Sequence, residues 1–387
     1  MTASITEQAV AGLRWVVVAG PRLAAFRALG ELARDEIHEV IEGKPERRAL
    51  ERFAATSQGR AVLDRVVAET ARAQPAEYAE LAALAEGAGV DFDTIVLANL
   101  RGDLGGDDGT GCSDLGWRRA RSVVAHNEDG APALQGRFML LTLAVDGEAP
   151  VTTEWYAGFL PSNTLAVTGH GLVWGINHVQ VSAPAAAAGR HFVARGLQQA
   201  RSLGAALGYL STHPSAGGFT YTFGEAASGR VATAEAAAGR VAVVEADPAT
   251  RPLIWHTNHL RYLDGEPGRR PPETGLAGEI DPGAADEAAR SLGLPGESLA
   301  RGCVLDAVTE PAAEPSPDWF LDILTSAGPD GVYRSAQHGD PLMTLCSTAT
   351  DLTAGEVTLQ PRGGARVRLP LAGLAAGRPA TVAAGTR

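Results

Sequence analysis

The stretch "GDDGTGCSDLGWRRARSVVAHNEDG", residues 106–130, decides how the rest of the chain is read. A glycine-rich acidic run ends at Gly111-Cys112-Ser113 and passes straight into β-branched residues broken by a charged turn, the pattern of a strand hairpin. Before it, apolar residues recur at helical spacing (Leu23, Phe26, Leu29, Leu32, Ile37, Ile41), so residues 1 to about 98 are expected to be helical. After it come the short runs "FMLLTLAV", "VTTEWYAG", "TLAVTG" and "GLVWGINHV", separated by glycine or proline, which read as strands. "GRHFVARGLQQARSLGAALGYLSTH" reads as one helix, and residues 218–247 as three antiparallel strands. Residues 264–315 are rich in Pro, Gly and acids and are expected to form loops with a short helix. "WFLDILTSA" closes the helical part before three final strands. Helices first, then hairpin-linked strands, predict an α+β layered sandwich rather than a doubly wound sheet. No G-x-G-x-x-G follows a strand, which removes the dinucleotide fingerprint.

Bulk composition narrows the chemistry. The 387 residues carry a formal charge of -12, which disfavours nucleic-acid and anionic-membrane partners. Lys44 is the only lysine and precedes a proline, so neither a Walker A loop nor a Schiff-base lysine is expected. Cys112, Cys303 and Cys346 form no disulfide framework, and "MTASITEQAV" lacks the look of a signal peptide; a reducing cytoplasm is expected.

Three chemistries compete for Cys112. For a metal, the pairs His170/His178 and His256/His259 lack any recognised ligand spacing, and Asp103, Asp107 and Asp108 miss the EF-hand pattern, so no metal or cofactor is expected. For serine chemistry, no G-x-S-x-G elbow appears, so an α/β-hydrolase reading has no anchor. A papain-like enzyme would need a cysteine opening a helix, whereas Cys112 enters a strand.

The remaining option uses the cysteine's own backbone. Cutting the Gly111–Cys112 bond would leave thiol and α-amine on one residue. An α-amine titrates near 7.7–8.0 and can act as general base without a histidine. The thiol can make that cut itself by attacking the preceding carbonyl, and Gly111 offers no Cβ to obstruct it.

These residues resemble the N-terminal-nucleophile acyltransferases typified by acyl-coenzyme A:6-aminopenicillanate acyltransferase. The resemblance rests on "GCS" at 111–113, "HNED" at 126–129, "TNH" at 257–259, "ANLRGDL" with Asn99, Arg101 and Asp103, and "TGHGLVWGINHV" with Asn177. Asp103 stands where glutamate is usual, and Gly130 where an aromatic is common. The resemblance implies a four-layer αββα sandwich of the N-terminal-nucleophile hydrolase type. It also implies self-cleavage into fragments 1–111 and 112–387 that remain one domain, and hydrolysis or transfer of an acyl group. On it, Cys112 is nucleophile and base, Asn258 an oxyanion donor, and Asp129 the partner of the α-amine. Asn127, Asn177 and Arg101 are assigned to substrate binding. The expected partner is a small amide or acyl donor, acyl-coenzyme A among them. His126, on a strand, is expected to point away from this group. Two alternatives stay open: an uncleaved cysteine amidohydrolase with a histidine base, and a catalytically silent binding protein of the same fold.

Overall fold

A computed structural model describes residues 2–42, 45–105, 111–263, 296–328, 330–337 and 340–378. The acidic run 106–110, with Asp107 and Asp108, lies outside the described residues, as do Lys44 and most of the Pro/Gly-rich stretch, 264–295.

The described chain begins with β1 (Ser4–Val10) and β2 (Leu13–Gly20), then α1 (Arg22–Leu32), α2 (Arg34–Glu42), α3 (Pro45–Ala54), α4 (Ser57–Ala73), α5 (Pro75–Ala88) and α6 (Phe92–Asn99). A single 3₁₀ turn, Arg101–Asp103, leads towards the cysteine. Next come β3 (Ser113–Arg118), β4 (Ser122–Gly130), β5 (Phe138–Val145), β6 (Val151–Tyr156), β7 (Ala166–Thr168) and β8 (Leu172–His178). Helices α7 (Arg190–Leu197) and α8 (Leu203–Thr212) precede β9 (Gly218–Glu225), β10 (Val231–Ala237), β11 (Arg240–Glu245) and β12 (Leu253–His256). The last described elements are α9 (Gly296–Asp306), α10 (Pro317–Leu324), β13 (Met343–Asp351), β14 (Glu356–Pro361), β15 (Val367–Pro370) and α11 (Leu371–Ala375).

Two sheets result, a nine-stranded one in the order β1-β2-β5-β6-β7-β8-β9-β10-β11 and a six-stranded one in the order β12-β3-β4-β13-β14-β15. They pack face to face through β3 and β4 against β8, β9 and β10. The N-terminal helices with α7 and α8 cover the outside of the larger sheet, and α10 covers the smaller one across β4 and β13. This is the expected α+β, four-layer αββα sandwich. No described helix is long and apolar enough to cross a membrane.

Two local expectations need correction. Residues 4–20 are a hairpin, not a helix: "LRWVVVAG" is β-branched, and Ala11 and Gly12 turn at φ +51° and +86°. Since β2 pairs in parallel with β5, the segment before Cys112 supplies strands to the same sheet as the segment after it. The helix expected at 189–213 is two helices, because Ser202 leaves helical geometry and caps α8, its hydroxyl accepting from the Ala205 amide at 3.1 Å.

Alternation along the smaller sheet sorts the side chains near Cys112. Leu115, Trp117, Val123 and Ala125 face outward onto Phe320, Leu321 and Leu324 of α10. Val124 joins the layer between the sheets, so Asp114, His126 and Glu128 share that inner face. Burying the outer aromatic and aliphatic set contributes on the order of 2 kcal/mol per side chain, which fixes the register and hence which residues point inward.

Candidate active site

Cys112 sits just before β3, buried, with φ +97°. That conformation is sparsely allowed for a side-chain-bearing residue and costs on the order of 1–3 kcal/mol. Its backbone N–H donates to Asp129 Oδ2 at 2.8 Å, which joins the two ends of the hairpin. A Cβ at Gly111 would lie 2.5 Å from Asp129 Cβ and 3.0 Å from a methyl of Leu342, so only glycine fits before the cysteine.

Asn258 closes over the junction from the other side. Its Nδ2 donates to the Gly111 carbonyl at 2.5 Å and to the His178 carbonyl at 2.9 Å. Its Oδ1 accepts from Arg301 at 2.7 Å. Guanidinium only donates, so this contact dictates which end of the amide faces Gly111. Arg301 also donates to the Cys112 carbonyl and to Ser113 Oγ. The asparagine's loop is anchored: Ser298 Oγ receives the Asn258 N–H at 2.7 Å, and Glu235 accepts the N–H groups of Tyr262 and Leu263 at 3.0 and 2.8 Å.

Beneath the cysteine lies a buried polar chain. His126 Nδ1 is 2.6 Å from Asp114 Oδ1, and Nε2 is 3.0 Å from Glu128 Oε2. Tyr156 donates to Glu128 Oε1 at 2.6 Å. Gly175 makes room for this pair, since a Cβ there would lie 2.5 Å from Asp114 Oδ1 and 2.6 Å from His126 Nδ1. His126 therefore points toward the cysteine, not away from it as expected from its strand. Burial opposes its charge, but Asp114 and Glu128 more than offset this and hold the imidazole well above its ordinary range. The Cys112 thiol is pushed well above its ordinary range, first by burial and then by the Glu128 and Asp129 charges. In the continuous chain the sulfur is thus held as a neutral thiol.

Glu154 lies further in and is fully buried. Burial raises its pKa to about 8, with the Glu128 charge adding to the rise; the nearby His126 and Cys346 act the other way. Its carboxyl is protonated in the fold while an unfolded chain ionises it near 4.5, so stability is lost as pH rises from about 4.5 to about 8 and is level above that. Glu154→Gln is expected to flatten this slope and to stabilise the protein near pH 8 by roughly 2–4 kcal/mol, because each tenfold change in proton affinity is worth about 1.4 kcal/mol. Denaturant titration of both proteins across that window measures it.

The junction opens on a cavity of about 330 Å³. Cys112, Glu128, Asp129 and Tyr156 border it, Leu134, Ile176, Phe219 and Leu342 add apolar surface, and Arg101, Arg137 and Arg190 add cationic groups. Arg101 also borders a second cavity of about 260 Å³ between the N-terminal helices, its guanidinium 4.5 Å over the Phe159 ring.

The structure gathers Gly111, Cys112, Asp129 and Asn258 at one point and puts Arg101 on the cavity wall. It does not bring Asn127 there. Asn127 faces outward with Val123 and Ala125, donates to the Leu324 carbonyl at 2.7 Å and accepts from Ser347 at 2.6 Å, so it ties β4 to α10 and β13. Asn177 is buried on the inter-sheet face two residues from Gly175, not on the cavity wall. Asn99 and Asp103 hold loops: Asn99 bonds the Gly158 carbonyl and the Leu160 amide, and Asp103 the Arg190 and Gly217 amides. Sequence reasoning missed Arg301, in a stretch read as loops with a short helix, and the Asp114–Glu128–Tyr156 set, of which only Asp114 and Glu128 carry a sequence signal, inward alternation on two paired strands.

With this geometry in hand, the chain can be set beside known proteins. No curated protein matches it in sequence. Among solved structures it is similar to penicillin V acylase from Agrobacterium tumefaciens, at 12% identity and a TM-score of 0.37, over 67% of this chain and 91% of that one. It is also similar to a variant of conjugated bile acid hydrolase from Clostridium perfringens, at 10% identity and a TM-score of 0.40, over 67% and 92%. The family model described as acyl-coenzyme A:6-aminopenicillanic acid acyl-transferase matches residues 117–273, a span that begins in β3 and takes in Asp129 and Asn258. The matched span carries the motifs "HNED", "TGHGLVWGINHV" and "TNH" and begins after Cys112.

Proposed function

We propose that the protein is an N-terminal-nucleophile enzyme that hydrolyses or transfers an acyl group, and that it matures by cutting its own Gly111–Cys112 bond. The observation that carries this reading is the Asn258 side chain donating to the Gly111 carbonyl while Asp129 holds the amide nitrogen of Cys112. Both sides of one peptide bond are gripped by groups suited to its cleavage, on a residue in a strained conformation.

In the cut, Cys112 Sγ bonds to the Gly111 carbonyl carbon, and the oxyanion that forms is stabilised by Asn258. The C–N bond then breaks, the thiol proton ends on the freed nitrogen, and water resolves the thioester to leave a carboxylate on Gly111. In turnover the neutral α-amine freed by the cut takes the thiol proton, and the ammonium so formed meets Asp129 Oδ2 and offsets the Glu128 and Asp129 charges that oppose the thiolate. Sγ then attacks the substrate acyl carbon, and the same Asn258 N–H₂ donates to the oxyanion. A small amide or acyl thioester, acyl-coenzyme A included, suits a cavity lined by both apolar side chains and arginines. A histidine base in an uncleaved chain finds less support, since both ring nitrogens of His126 are bonded to carboxylates.

Intact-mass measurement of the purified protein tests the reading. Two chains of about 11.5 and 28.5 kDa, in proportion to 111 and 276 residues of the 40.0 kDa total, are expected, the larger beginning at Cys112. A single 40.0 kDa species that still turns over amides would sink the self-cleavage step and restore the histidine-base alternative.

A further inference from the structure

Cys112, His126 and Glu128 form a group that the acyl-transfer chemistry does not account for. Their Sγ, imidazole nitrogen and carboxylate oxygen all lie within 4.8 Å of one another, and all three residues are buried. Each donor is of a type that zinc accepts; His126 and Glu128 lie on β4, and Cys112 immediately precedes β3, whose register with β4 the core fixes. The atoms one layer out are arranged as a metal site requires. Asp114 Oδ1 lies 2.6 Å from His126 Nδ1 and holds a proton on that nitrogen, so that loss of the proton shared with Glu128 would leave Nε2 as the ligand atom. Tyr156 donates to Glu128 Oε1 and leaves Oε2 directed at His126. The Nε2–Oε2 separation is 3.0 Å, close to the roughly 3.3 Å spanned by two ligands on a tetrahedral zinc with bonds of about 2.0–2.1 Å. Cys112 and Glu128 also border the cavity, so a fourth position would open toward water or substrate.

We infer that this trio binds a zinc-class divalent ion, with Cys112 Sγ, His126 Nε2 and Glu128 Oε2 as ligands, and that the bound ion silences the nucleophile. Binding displaces the thiol proton and the proton shared between Nε2 and Oε2; no electron is transferred. Rotation of the Cys112 side chain brings its sulfur to the roughly 3.6 Å from nitrogen that a shared zinc requires. A sulfur held as a metal ligand is withdrawn from attack on Gly111 or on a substrate, so zinc acts as a reversible block on the site. The inference stands apart from self-cleavage, because the ligands are present in the continuous chain.

Cobalt(II) titration of the full-length protein tests it, since cobalt reports both thiolate ligation and geometry in its absorption. One equivalent is expected to bind, with a thiolate-to-cobalt charge-transfer band and strong tetrahedral visible bands. Cys112→Ser should abolish the charge-transfer band, and Asp114→Asn should weaken binding about 10–100-fold while leaving the ligands in place. Zinc should also protect Cys112 from iodoacetamide, read by peptide mass mapping, and a chelator should restore labelling. Circular dichroism confirms that each variant is folded. Absence of the charge-transfer band in the wild-type protein overturns the site, as does a band that survives Cys112→Ser or an affinity unchanged by Asp114→Asn. If cobalt binds as described but the chain is never cut, the metal site stands and the proposed maturation falls.

Discussion

Cys112→Ala is expected to remain one chain of 40.0 kDa and to show no turnover of any acyl substrate that the wild-type protein accepts. The argument is chemical before it is structural. The reading places nucleophile and general base on the same residue, so removing the sulfur also removes the reaction that would release the amine. Structurally the change is mild. The backbone N–H to Asp129 and the carbonyl contact from Arg301 use main-chain atoms and survive it. Loss of activity with an unchanged melting temperature would therefore report on chemistry. Appearance of the two fragments from the Cys112→Ala protein would show that another group, or a contaminating protease, makes the cut.

Asn258→Asp is the second large effect, and it separates folding from catalysis. The aspartate keeps an oxygen for Arg301, which Asn258→Ala would leave buried without that acceptor. It replaces the N–H₂ group that faces the Gly111 carbonyl with a second oxygen, so the donor becomes an acceptor at the place where negative charge develops. Loss of one such donor costs about 10²–10³ in rate, roughly 3–4 kcal/mol of barrier. Cleavage followed by intact mass over time, and kcat on any working substrate, should both fall by at least this factor. A variant that matures at the wild-type rate would remove Asn258 from the oxyanion role.

Arg301→Lys provides a graded companion. Lysine can keep one contact but not the fork that reaches Asn258, Ser113 and the Cys112 carbonyl together. An intermediate loss of cleavage rate is expected, without the complete block of the cysteine variant.

Much of this architecture was legible in residue order. Strand runs after Cys112 are short, β-branched and punctuated by glycine, and those from "SVVAHNE" to "ARVRLPL" fold as strands. The hairpin at residues 4–20 was hidden because "WVVVAG" is followed at once by a strong helical period, and a short apolar run of that length fits either state. Pairing with β5, more than a hundred residues away, decides it. In the same way, "HNED" announced a hairpin carrying polar residues but not which of them faces which layer. The packing of Val123 and Ala125 on α10 sends Asn127 outward with them, and His126 and Glu128 inward.

By itself, then, the sequence determined the layered α+β class, the Gly-Cys junction and the order of its supporting motifs, because these follow from local periodicity and from the chemistry of single residues. Only the tertiary structure decided what surrounds the junction. Arg301 comes from a helix nearly two hundred residues beyond Cys112, and the Asp114–His126–Glu128 chain exists only because β3 and β4 pair in one register against a glycine of the opposing sheet. Such contacts depend on long-range packing free energy, which no short window of residues encodes.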